Sequence, residues 1–154
     1  METKFKKVGG FILYERGDKT GLIRIDSISI IWLQKEGIEI TLLPGRNSEC
    51  FVLDDAESHW RALMEMTQFL NIGGTNASGE VVKKGVNPQN IITAELRLKT
   101  INLTLKELCS VYSENTAKFM YVHPLHLRCS FNNESDARSS YQLIVNNLKS
   151  TSSY

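Results

Sequence analysis

Isoleucine recurs between residues 23 and 42 at a spacing that suits extended backbone. Ile23 and Ile25 share one parity, Ile28, Ile30 and Trp32 share the other, and Ile38, Ile40 and Leu42 alternate with Glu39 and Thr41. Side chains alternate faces along a strand, so apolar residues two apart line a single buried face. The parity changes at Asp26-Ser27. A slip of one residue would turn every later side chain to the opposite face, so a bulge or corner is predicted there. Turn-forming groups punctuate the pattern: Arg16-Gly17-Asp18-Lys19-Thr20-Gly21, Lys35-Glu36-Gly37 and Pro44-Gly45-Arg46-Asn47. With strands over residues 8–15 and 50–53 on either side, the first third of the chain reads as an antiparallel meander.

A helix is expected next. Asp54 and Glu57 have the spacing of a capping box, and Ala56, Trp60, Leu63, Met64, Thr67 and Leu70 then fall on one helical face, predicting a helix over about 55–70 that covers the meander. Asn71-Ile72-Gly73-Gly74-Thr75-Asn76-Ala77-Ser78-Gly79 has the composition of a loop or linker. The expected organisation is therefore a meander-plus-helix half over residues 1–70, a glycine-rich linker or loop over 71–87, and a second strand-and-helix half over 88–154, which together make either one compact domain or two related halves.

In the second half, Leu96 and Leu98 alternate with Arg97 and Lys99, and Ile101 and Leu103 resume the alternation in another phase, so a bulge or turn is predicted near Thr100. Thr104 with Glu107 forms a second capping box, and Leu103 can staple onto Leu108, predicting a short helix through Cys109 and Tyr112. Strands over 119–122 and 125–131 follow, separated by Pro124, which cannot donate to a ladder and marks an edge, bend or break. Ser135 is the expected cap of a last helix with Ala137, Tyr141, Ile144, Val145 and Leu148 on one face. Residues 150–154 are expected to fray. Asp55-Ala56-Glu57-Ser58-His59-Trp60-Arg61-Ala62-Leu63 matches Asp136-Ala137-Arg138-Ser139-Ser140-Tyr141-Gln142-Leu143-Ile144 as Asp-Ala-x-Ser-x-aromatic-x-x-aliphatic. This is either the trace of a tandem duplication or the shared chemistry of helix starts.

The chain of 154 residues carries 18 Lys+Arg against 17 Asp+Glu, a formal net charge of +1, so it lacks the basic excess that accompanies indiscriminate phosphate binding. A chain of this length buries roughly 68–70% of its unfolded surface, enough for a core without staples. Three cysteines at irregular spacing argue against a disulfide framework and for a reducing, cytoplasmic setting. The basic start is followed by an apolar run that contains Gly9-Gly10 and stops at Glu15-Arg16, which does not make a signal peptide, and no stretch is long and apolar enough to span a bilayer.

Candidate chemistry concentrates in His123-Pro124-Leu125-His126-Leu127-Arg128-Cys129, where two imidazoles and a thiol are possible zinc ligands. Strand alternation places Leu125, Leu127, Cys129 and Phe131 in one apolar row and His126, Arg128 and Ser130 on the other face. A local metal site would need a helical or looped backbone and a fourth ligand such as Cys109 from elsewhere. No catalytic, cofactor-binding or metal-ligating residue is therefore assigned. Cys50 and Cys129 read as buried, inert thiols, His59 as a solvated helix residue, and Asp54-Asp55 as charge at a helix start. Arg16-Gly17-Asp18 spells an adhesion tripeptide, and Asn76-Ala77-Ser78, Asn102-Leu103-Thr104 and Asn133-Glu134-Ser135 match the glycosylation acceptor. Both signals have meaning only on the secretory route, and the hairpin turn already accounts for the first.

The expected fold is α+β: a mainly antiparallel sheet of about seven strands, packed by two longer helices and one short one, with a duplicated strands-then-helix unit as its possible origin. The strands-then-helix order is similar to that of many small proteins from flagellar and phage operons, and it is too general to single out a family. The expected function is non-enzymatic: a small binding or assembly protein, either self-associating or an accessory subunit of a larger complex such as a phage or mobile-element particle. The interaction residues are His126 and Arg128 on a late edge strand. One alternative is a sheet that binds single-stranded nucleic acid through Lys4, Lys6 and Lys7, with Lys83-Lys84, Arg97 and Lys99 at its border and Tyr or Phe for stacking. Tyr14, Trp32, Phe51, Phe119 and Tyr121 are assigned to the core instead. A second alternative is an enzyme with a Cys/His site around residues 123–129.

Overall fold

The computed structural model describes residues 3–42, 47–75, 82–113 and 118–151. The fold is mixed sheet and helix, with antiparallel strands and two helices. The basic start is strand β1 (Thr3–Val8); it pairs with β2 (Phe11–Arg16), which pairs with β3 (Lys19–Arg24). Gly17 takes a φ of +63° in the β2–β3 turn, the backbone state that glycine reaches without steric cost. A 3-10 turn over Ile25–Ser27 makes the corner expected at Asp26-Ser27. Then come β4 (Ile28–Gln34), β5 (Gly37–Leu42) and β6 (Asn47–Val52). Helix α1 (Ala56–Thr67) is capped by Asp55, not Asp54: the Asp55 carboxylate accepts from the Ser58 amide at 3.4 Å. It stops short of Leu70 because Gln68 turns left-handed, its amide donating to the Met64 carbonyl at 2.9 Å.

The stretch read as linker or loop is partly sheet. Strands β7 (Leu70–Ile72) and β8 (Lys83–Val86) pair with each other, and β8 pairs with β4, giving a five-stranded order β6-β5-β4-β8-β7. Gly74 serves close approach rather than flexibility: a Cβ there would stand 2.8 Å from the Ser130 carbonyl. A second 3-10 turn, Pro88–Asn90, is fastened to the start of β4 by Asn87 and Asn90, both buried, whose side-chain amides donate to the Ile28 carbonyl at 3.0 and 3.4 Å.

The last sheet is β11-β10-β9, built from β9 (Ile91–Arg97), β10 (Thr100–Ser113) and β11 (Lys118–Ser130). The short helix expected from Thr104 is thus strand. The two strands expected around Pro124 are one strand, with a register shift between Leu105 and Leu108 opposite the proline. Helix α2 (Glu134–Thr151) starts one residue before Ser135. Its cap is Asn133, whose side-chain oxygen accepts from the Asp136 amide at 2.8 Å. Residues 44–46 of one expected turn, 76–79 of the glycine-rich loop and 152–154 of the tail lie outside the described residues, as do the side chains of Phe119 and Tyr121.

Two cores sit on opposite faces of β4. One joins Ile12, Tyr14 and Ile23 of the first sheet to Ile28, Ile31, Ile38, Ile40 and Phe51, with Trp60 and Leu63 of α1. The other joins Ile30, Ile72 and Val86 to Ile101, Leu103, Leu105 and Cys129, with Ile144 of α2. Ile28 and Ile30 share a parity that predicts one face, and the register shift between them sends them to different cores. The order 3-10 turn, three-stranded meander, helix occurs twice, over β4-β5-β6-α1 and β9-β10-β11-α2.

Candidate interaction surfaces

Strand β11 is an edge of its sheet, and Cys129, His126 and Arg128 are where the alternation puts them, while the Leu125 side chain lies outside the described residues. Cys129 is buried, whereas His126 and Arg128 are exposed on the other face. His126 stands opposite Thr104 and shares a 3.2 Å hydrogen bond between its Nδ1 and the Thr104 hydroxyl; Arg128 stands opposite Asn102. The free edge of β11 is met at its last residue by Thr75, whose amide donates to the Ser130 carbonyl at 2.7 Å. Strand β9 pairs with β10 only along Thr100–Leu105, while the β10–β11 pairing continues to Ser113 opposite Lys118. The far part of this hairpin is therefore a two-stranded ribbon, with no third strand among the described residues.

Of the possible zinc ligands, only His126 and Cys129 have described side chains. His126 and Cys129 lie on opposite faces of β11, and among the described residues no three His, Cys, Asp or Glu side chains are grouped to hold a metal ion; Cys109 and His123 stand opposite each other in the β10–β11 register, and their side chains lie outside the described residues. Burial pushes the Cys129 thiol above its ordinary pKa, against the opposing charge and hydrogen bond of Lys84. Cys50, expected inside, is exposed. His59, expected in solvent, is half-buried and edge-on to Phe5 at 5.9 Å. Arg16 of the adhesion-like tripeptide is occupied structurally: its guanidinium lies 4.8 Å from the Phe51 ring centre and donates to the Cys50 carbonyl at 2.8 Å.

The lysines separate. Lys4 and Lys6 are exposed on the outer face of β1, while Phe5 between them packs edge-on to Phe51 at 5.1 Å. Lys7 has the parity of Phe5 and so does not share that face. Arg24 does, through the register of β2 and β3, lying 4.7 Å over the Phe11 ring. Sequence alone hid Arg24 because its membership depends on two hairpin registers. Of the residues expected at the border, Arg97 and Lys99 are exposed, whereas Lys83 is half-buried and Lys84 buried. Lys84 is buried beside Trp32, Lys83 is bonded to Glu57 at 2.8 Å, and Arg97 pairs with Glu95. Glu57 is also bonded by Arg61, and the hydrogen bond and charge of Lys83, then Arg61, hold its carboxyl below the usual range.

No family model, curated protein or solved structure matches the chain. No helix among the described residues is long and apolar enough to cross a membrane.

Proposed function

We propose that this is a non-catalytic assembly protein of a reducing, cytoplasmic setting, which self-associates or serves as a subunit of a larger particle such as that of a phage or mobile element. The observation that carries this reading is the β10–β11 hairpin, which outruns β9 and leaves a ribbon of two strands. A two-stranded ribbon is marginal in water and gains stability from a third strand or a packed surface. Its sequence is rich in apolar residues, including Leu108, Val111, Tyr112, Phe119, Tyr121 and Val122, and among the described residues no strand pairs with the outer ladder of β11 beside it. Pairing of β11 with its copy about a two-fold axis would join two sheets into one and bury both ribbons. A net charge of +1 leaves little field to keep copies apart.

The repeated order of 3-10 turn, meander and helix supports reading the chain as a duplicated unit, one copy of which uses its hairpin for association.

Native mass and sedimentation over the micromolar range test the proposal. A dimer or higher oligomer that Arg128→Glu weakens supports it, because Arg128 is exposed on the edge strand through which the copies would pair. A monomer at every concentration overturns it.

A further inference from the structure

The outer face of the first sheet forms a small grid. The two hairpin registers place Lys4, Glu15 and Thr20 in one row, Lys6, Leu13 and Leu22 in the next, and Val8, Phe11 and Arg24 in the third. Tyr14, Ile12 and Ile23 occupy the inner face and are buried. On the outer face, Val8 is 46% and Leu22 59% exposed, and Lys4, Lys6 and Arg24 are exposed as well. A groove of about 290 Å³ runs among Lys4, Lys6, Leu13 and Glu15. Apolar surface therefore fills the middle of the face, with cations on both outer strands.

We propose that this face binds a short stretch of single-stranded nucleic acid. Charge complementarity selects the occupant: three cations against the single carboxylate of Glu15 would repel a second copy of the same face and attract a polyanion. The bases would lie over Leu13, Leu22 and the Phe11–Arg24 stack, since ring faces and guanidinium planes both accept a stacked base. Lys4 and Lys6, two residues apart on one strand, stand about 7 Å from each other along it and can follow a phosphate backbone. Stacking on these side chains needs bases whose faces are free, which single strands offer and a duplex does not, so single strands are preferred. The proposal uses a surface remote in sequence from the β10–β11 hairpin and stands independently of the assembly reading.

Anisotropy of a labelled 12-residue oligothymidylate with the full chain, at about 50 mM salt, is the test. Lys4→Gln with Lys6→Gln should weaken binding at least tenfold and lower the log–log salt slope by about 1.4, that is 0.7 for each phosphate no longer neutralised. Lys35→Gln with Lys106→Gln removes the same charge outside the grid and should change little. Phe11→Leu keeps an apolar side chain yet should cost about fivefold or more through weaker stacking. Glu15→Gln should tighten binding. Urea midpoints of each variant separate loss of binding from loss of folding. The proposal is overturned by no binding at this salt, by equal loss in the two lysine pairs, by equal affinity for polyglutamate or duplex, or by a dimer that Leu22→Asp dissociates.

Discussion

Trp60 and Tyr141 occupy matching positions in the two similar helix segments, but they differ in what they touch. Trp60 is 2% exposed and its indole donates to the Ile31 carbonyl at 3.0 Å, whereas Tyr141 is only half-buried at the margin of the second core. Trp60→Ala should therefore cost about 3–5 kcal/mol, the range for a buried aromatic. Tyr141→Ala should cost distinctly less, and equal losses in urea melts would contradict the burial difference. Cys129 supplies a pH signature. Its thiol pKa is raised in the folded state, so the unfolded chain ionises first as pH rises. The stability this contributes is present below the ordinary thiol pKa of about 8.5 and is lost as pH climbs toward the folded value. Urea midpoints from pH 7 to 10 should fall more steeply in the native sequence than in Cys129→Val. At this scale the sequence was readable where alternation decides, as for Cys129, His126 and Arg128. It misled for Cys50 and His59, whose exposure depends on which neighbouring sheet lies over them.

Among the elements, the segment from Thr104 shows how a bulge imitates a helix. Ile101, Leu103 and Leu105 are fully buried with a period of two, as a strand requires. The register shift before Leu108 then spaces apolar residues three apart, and this, with Thr104 and Glu107, copies a capping box and staple. Packing of the strand under α2 outweighs the local signal. The hairpin turn foreseen near Thr100 is present, but it puts Leu98 at a φ of +52° and 71% exposed. A left-handed leucine is strained by about 1–2 kcal/mol and here gains little from burial. Leu98→Gly should therefore raise stability, by up to about 1 kcal/mol after the added freedom of the unfolded glycine. Gly37 behaves in the opposite way. A Cβ there would meet the Phe51 carbonyl of the neighbouring strand, which is backbone and cannot swing aside. Gly37→Ala should cost about 1–3 kcal/mol, as overpacking does, and a thermal or urea melt checks both signs.

The arrangement of the whole molecule was the least legible level. Pairing of β4 with β8 joins residues far apart in the chain, and β8 lies in a stretch whose glycines suggested a linker. The two cores meet across β4 because Ile30 and Ile31 point to opposite faces; in sequence they are simply adjacent isoleucines. Strand pairing over such separations is chosen by collective burial, which no local window contains. The same whole-molecule view gives the association reading a thermodynamic test. If native copies pair through β11 and unfolded chains do not, association stabilises the native state by mass action, and the melting temperature must rise with protein concentration. The rise should shrink in Arg128→Glu, whose side chain is exposed and away from either core, so its monomer stability should stay within about 0.5 kcal/mol of the native sequence. Low-concentration melts of the two proteins should therefore coincide, and high-concentration melts should diverge. Parallel, concentration-independent curves would show that the β11 edge is left open in a monomer, with Thr75 at Ser130 as the closure it has among the described residues.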